Sequence, residues 1–169
     1  MTTPYLHKLL RYRSWADHLI FDAVAALPEG AATTPRATIF GNILRTLSHT
    51  YVVDDIFQAH LQGRAHGYTS RNTAEPLALD ELWRRQQAIN GWYLEYATAL
   101  SPEQAAEVVT FQFIGSGEGR MSREEMILHV VNHATYHRGF VADMFYQVPA
   151  KPPATDLPVF LRDVPQDAP

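Results

Sequence analysis

Leu128-His129-Val130-Val131-Asn132-His133-Ala134-Thr135-Tyr136-His137-Arg138-Gly139 is the stretch on which the fold and the chemistry of this chain turn. Apolar residues at Ile127, Val130, Val131, Ala134, Val141 and Phe145 recur every three or four positions, which predicts an amphipathic helix. Ser122 and Glu125 form the S-x-x-E pair that opens such a helix, so it is expected from Ser122 to about Tyr146. Three histidines, His129, His133 and His137, lie on it at four-residue spacing. Neighbouring members of that series are about 6 Å apart along the axis and can reach one ion, whereas the outer two are about 12 Å apart and cannot. On a wheel of roughly 100° per residue, His137 falls about 50° from the centre of the apolar stripe, His133 about 90° and His129 about 130°. The pair nearer the core is therefore His133/His137. The margin over His129/His133 is modest, because Met126 and Met144 also lie toward the His133 side.

Working outward, three further helices are expected. The first runs from about Pro4 to Leu27 and ends at Pro28-Glu29-Gly30; the second covers about Ile39 to Leu61 and stops before Gly63; the third runs from about Leu79 to Leu100, before Ser101-Pro102. Val108 to Ile114 is rich in β-branched and aromatic residues and is followed by Gly115-Ser116-Gly117-Glu118-Gly119, which predicts a short extended segment or hairpin between helices three and four. After Tyr146 come six of the eleven prolines, so an extended Pro-rich tail is expected, packed on the helices through Leu157, Val159, Phe160 and Leu161. These elements make an all-α chain with the architecture of a four-helix bundle. One domain is expected over residues 1–163, with 164–169 as the end of the tail.

The second helix supplies the third imidazole. Phe40, Leu44, Leu47 and Tyr51 occupy one of its faces, while Ile43, Thr46, His49, Val53 and Ile56 lie on or around another. A helix apolar on nearly all sides needs more than one neighbour, which places His49 in the interior. His49, His133 and His137 would then make a three-nitrogen site with positions left open, the pattern of catalytic rather than structural metal centres. His7, His18, His60 and His66 sit near helix ends, on polar flanks or in the following loop and are read as structural or solvent-facing. Arg138 falls near the centre of the fourth helix's apolar stripe and Asp54 near an apolar face of helix two. A buried charge needs a partner, so the two are expected to meet as an ion pair, the alternative being that Arg138 snorkels to solvent or reaches across a dimer interface.

Composition narrows the classes. The 169 residues are 46% hydrophobic, with a net charge of −4 and no Lys/Arg run, which argues against nucleic acid as a partner. The chain has no cysteine, which excludes disulfides, thiolate ligands and a protein thiol nucleophile. No stretch approaches the roughly 18 apolar residues of a membrane span. The N-terminal stretch, with His7, Lys8, Arg11 and Arg13 in an amphipathic pattern, does not read as a signal peptide. The expected location is the cytoplasm. Surplus apolar positions on the first two helices favour a homodimer.

The fourth-helix string quoted above resembles the signature of the DinB/YfiT-like family of metalloenzymes. Leu47-Ser48-His49 followed by Val53-Asp54-Asp55-Ile56-Phe57 resembles that family's second-helix signature, and Tyr12, Trp15, Ala16 and Asp17 before Leu27-Pro28 fit its first helix. The resemblance covers roughly Met1 to Asp163. It implies a four-helix bundle, usually a homodimer, with one divalent ion, zinc or nickel, on His49, His133 and His137. It also implies a reaction class: activation of a low-molecular-weight thiol cofactor or water for transfer, isomerisation or hydrolysis of a small electrophilic substrate. The alternative is a dimeric protein that binds metal or a small ligand without turnover; a third reading leaves the histidines packed and unmetalled. Tyr136 and Phe140 depart from the family pattern, in which His and Gln are common there, and point to a different substrate selection. No residue beyond the three ligands is assigned a catalytic role.

Overall fold

A computed structural model of the chain describes residues 3–165. In chain order these form α1 (Thr3–Ala25), α2 (Ile43–Gln62), α3 (Leu79–Ala99), a short α4 (Pro102–Ala106), β1 (Val108–Phe113), β2 (Ser116–Ser122), α5 (Arg123–Phe145) and a short α6 (Leu157–Asp163). The fold is mostly helical, with one two-stranded antiparallel sheet. Among the described residues no helix is long and apolar enough to cross a membrane.

Local chemistry sets most boundaries. Ser122 ends β2 and caps α5: its Oγ accepts from the Glu125 N–H, while the Glu125 carboxylate accepts from the Ser122 N–H at 2.7 Å. Ser122→Ala is expected to lower stability by about 1 kcal/mol, read as a reduced urea midpoint at unchanged slope. An unchanged midpoint would show that the hairpin alone fixes the start of α5. The second long helix begins four residues later than its hydrophobic pattern suggests. Gly41 adopts φ 80°, Asn42 is extended, and the Asn42 side chain accepts from the Arg45 N–H at 2.8 Å, so Ile39 and Phe40 precede the helix. Gly63 in the left-handed region closes α2.

The four long helices make a ring of neighbours. α2 packs on α5 and α3, and α1 packs on α3 and α5. Two apolar layers fill the interior. One joins Leu6 and Leu10 to Val52, Val53, Ile56, Tyr93, Ile127 and Val130; the other joins Ile20, Phe21 and Val24 to Ile43, Leu44, Leu47, Leu82, Val141 and Phe145. Membership in these layers fixes direction: α1 and α5 run one way, α2 and α3 the other. The loop 63–78 must therefore carry the chain back along the length of the molecule. The hairpin caps the first layer through Phe111, which is buried and pairs across the sheet with Gly119. A Cβ at 119 would lie 2.6 Å from the Phe111 and Phe113 rings, so any other residue there would force those rings to shift.

Between the two layers runs a buried polar band. Arg13 donates to Asp54, and its Nε stands 3.4 Å from the Asp17 carboxylate. Gln86 donates to Asp54 at 2.9 Å and Asn90 donates to Asp17 at 3.0 Å. Tyr93 donates to the Asp54 carbonyl at 2.8 Å. Arg138 is buried as its position on the wheel requires, but it donates to the Tyr12 hydroxyl at 2.8 Å and lies 3.9 Å from Asp17. The expected Arg138–Asp54 pair is thus replaced by two pairs with α1, because α1 lies against both α3 and α5 and brings its own Arg13 and Asp17 inside.

The tail also differs from the extended segment expected. Pro158 is tolerated in the first turn of a helix, and residues 157–163 coil into α6. Phe160 is buried against Tyr12 and Trp15, with ring centroids at 5.7 and 5.6 Å, and Leu157 and Val164 pack around it. Leu161 instead faces solvent. Beyond Pro165, the tail end expected over 164–169 lies outside the described residues.

Candidate metal centre

His49 projects from α2, and His133 and His137 from successive turns of α5, where these two helices pack together. A nitrogen of each ring lies within 4.8 Å of the other two. The His49 and His133 Nε2 atoms are 3.2 Å apart, and the ring centroids are separated by 4.3 to 5.1 Å. His49 and His137 are 7% and 6% exposed; His133 is half-buried. His129, the competing member of the helical series, stays outside this group. Its ring packs on Phe57 at 4.4 Å. His18 faces Asp22 on the surface, and His60 and His66 pack among Phe57, Phe111 and Tyr68.

The loop 63–78 supplies what the sequence could not name. The Arg71 carbonyl accepts from His49 Nδ1 at 3.0 Å. A carbonyl can only accept, so the proton sits on Nδ1 and the His49 Nε2 lone pair faces the other two rings. Such a tie orients a ligating imidazole. The Nδ1 atoms of His133 and His137 are buried with no hydrogen-bond partner among the described residues. Three imidazole nitrogens brought within 4.8 Å of one another by two packed helices could hold a cation.

Burial pushes all three rings below the ordinary histidine range. The neighbouring imidazoles add to this for His133 and His137, the latter reaching about 4. The rings are therefore neutral near pH 7, the state that binds metal. For metal-free protein the sign follows from linkage. His137 has a folded value of about 4 against an unfolded 6.5, so the unfolded chain binds more protons between them. Stability is complete above the unfolded value and is lost as pH falls through the folded one. The urea midpoint of chelator-treated protein should fall across that window; a flat profile would contradict the neutral assignment.

Aromatic rings wall the site. Phe40 lies 4.6 Å from His49 and 5.0 Å from His137 by ring centroid, and Phe140 stacks on His137 at 5.9 Å. Tyr136 is exposed and edges onto both His137 and Phe140. Tyr136, Gly139, Phe140 and Asp143 line a shallow surface cavity of about 330 Å³. The two positions that depart from the family pattern are thus side by side at one rim of the trio.

A helical protein with three converging imidazoles on two packed helices defines a class that sequence comparison places by family. The DinB family model matches residues 1–167, and the chain belongs to the DinB family. Protein DinB of Bacillus subtilis (strain 168) is 26% identical over 170 residues, covering 94% of this chain and 95% of that relative.

Proposed function

We propose that the chain is a metal-dependent enzyme in which His49, His133 and His137 hold one divalent ion, zinc or nickel, within a four-helix bundle formed by α1, α2, α3 and α5. The observation that carries this is the 3.0 Å contact between His49 Nδ1 and the Arg71 carbonyl. The carbonyl accepts a hydrogen bond from the Nδ1–H, which leaves the Nε2 lone pair facing the other imidazoles. Bound there, the ion supplies a Lewis acid with positions left for a low-molecular-weight thiol or water and a small electrophile, for transfer, isomerisation or hydrolysis. The chain's own residues do the rest. Three neutral rings leave the ion's charge undiminished, the Arg71 carbonyl orients His49, and Phe40 and Phe140 keep bulk water from the rings. With no cysteine in the chain, a thiol nucleophile is a second substrate or cofactor.

Elemental analysis of untagged protein purified without added metal tests the reading. One divalent ion per chain is expected, and a substoichiometric content would refute it. A screen pairing thiols with small electrophiles then separates turnover from binding alone. We extend the proposal to a cytoplasmic homodimer; sedimentation showing a monomer at micromolar concentration would remove the dimer from it.

A further inference from the structure

Thr38 to Gly41 form a tight turn just ahead of α2. The Gly41 N–H donates to the Thr38 carbonyl at 3.1 Å, and Gly41 takes φ 80°. A side chain is strained at that φ, so this turn depends on glycine. The turn holds Phe40 with one part of its ring against the trio, tilted 31° on His49 and edge-on to His137 at 80°. Phe40 also lines a cavity of about 130 Å³ with Ile39, Arg45, Asn72 and Thr73. The cavity and the imidazoles thus share one side chain as their common wall.

We propose that Phe40 gates the three-histidine site on the side of this cavity: its ring separates the cavity from His49 and His137, and whatever approaches those two rings from there passes it. The cavity of about 130 Å³ is small, so the bulk of residue 40 decides how much of a ligand fits between it and the imidazoles. The size of residue 40 therefore sets which ligands arrive. Its neighbours leave room to swing, since Ile39 projects into solvent and Phe40 is itself only half-buried. Gating by one residue on a loop held in a turn is a motion that requires no change in the helices.

This inference deepens the metal-site reading but is tested apart from it. Metal-free protein is treated with diethylpyrocarbonate, which modifies neutral, accessible imidazoles, and each histidine is followed by mass spectrometry. Phe40→Ala should speed modification of His49 and His137 about tenfold, because reaction tracks the population in which the rings are uncovered. His18 and His129, which do not touch Phe40, should react at their wild-type rates. Phe40→Trp should leave His49 and His137 protected. Should Phe40→Ala accelerate every histidine through loss of fold, Phe40→Val gives the same comparison with the ring removed but part of the apolar contact kept. Unchanged His49 and His137 rates relative to His129, in Phe40→Ala or Phe40→Val, overturn the gate. In zinc-loaded protein the parallel expectation is release to EDTA about tenfold faster in Phe40→Ala at unaltered zinc content. Absence of metal from the wild-type protein would refute the metal reading alone, because the modification rates do not depend on it.

Discussion

Asp54→Ala should destabilise the protein by about 3–5 kcal/mol, the usual consequence of removing one partner of a buried ion pair. Arg13 is 1% exposed and Asp54 0%, so the guanidinium left behind cannot turn to water. Its other carboxylate, Asp17, already accepts from Asn90 and stands near Arg138. Gln86 loses an acceptor as well. In a chain of this size, the loss corresponds to a fall in Tm of roughly 6–20 °C. Burial pushes the Asp54 carboxyl up, while the Arg13 charge and the hydrogen bonds from Gln86 and Arg13 favour its ionised form. A double-mutant cycle separates the partners. Arg13/Asp54 should show strong coupling and Arg138/Asp54 little, because Arg138 engages Tyr12, Thr135 and Asp17 instead. Replacing both Arg13 and Asp54 by apolar residues of similar volume should cost less than Asp54→Ala. A melt of Asp54→Ala within about 1 kcal/mol of wild type would place these charges in solvent contact and sink the account.

The polar band shows what a wheel can and cannot reveal. On α1, positions 6, 10, 13, 17, 20 and 24 follow a strict four-three alternation, so Arg13 and Asp17 stand on the same stripe as Leu6, Leu10, Ile20 and Val24. That placement was legible. Their burial was not, because an isolated helix can turn a charged pair at i, i+4 outward as easily as inward. What decides the matter is the presence of Gln86, Asn90 and Asp54 on helices distant in sequence, and pairing across a ring of four helices is a tertiary fact. The same holds for Arg138. Its burial followed from its neighbours Ala134 and Val141, while its partner depended on which helices touch α5.

Elements with a local cause were the ones readable in advance. Ser122 and Glu125 announce α5, and Gly115, with φ 78°, announces the turn that joins β1 to β2. The start of α2 was misplaced because Ile39 and Phe40 continue its apolar pattern, although Gly41-Asn42 is a breaker followed by a cap. The α6 turn was hidden by proline, which forbids the interior of a helix but favours its first turn. Phe40 was missed as a wall of the site for the same reason that α2 was started too early: assigned to a helix face, it could not also lie across His49 and His137. The Arg71 carbonyl carries no side-chain signature at all. Only the return of loop 63–78 along the molecule brings it to His49.

His49→Ala, His133→Ala and His137→Ala should each abolish stoichiometric metal, whereas His129→Ala should retain most of it. Removing a group that only orients a ligand through a hydrogen bond weakens a metal site by about 10–100-fold. Loss of one of three ligands should therefore exceed about 100-fold, beyond what survives purification. The three positions are equivalent in kind because each ring nitrogen lies within 4.8 Å of the others. His129 differs: its ring centroid is 5.5 Å from that of His133 and 4.4 Å from Phe57, which makes it a packing residue beside the site. Stability provides an independent readout. An ion that binds only the folded state raises Tm with its free concentration. Wild type and His129→Ala should show that rise on titration with zinc or nickel. The three ligand variants should melt at a temperature independent of added ion. If His129→Ala lost the ion while His137→Ala kept it, the metal would lie one turn nearer the start of α5, with His129 and His133 as its ligands on that helix.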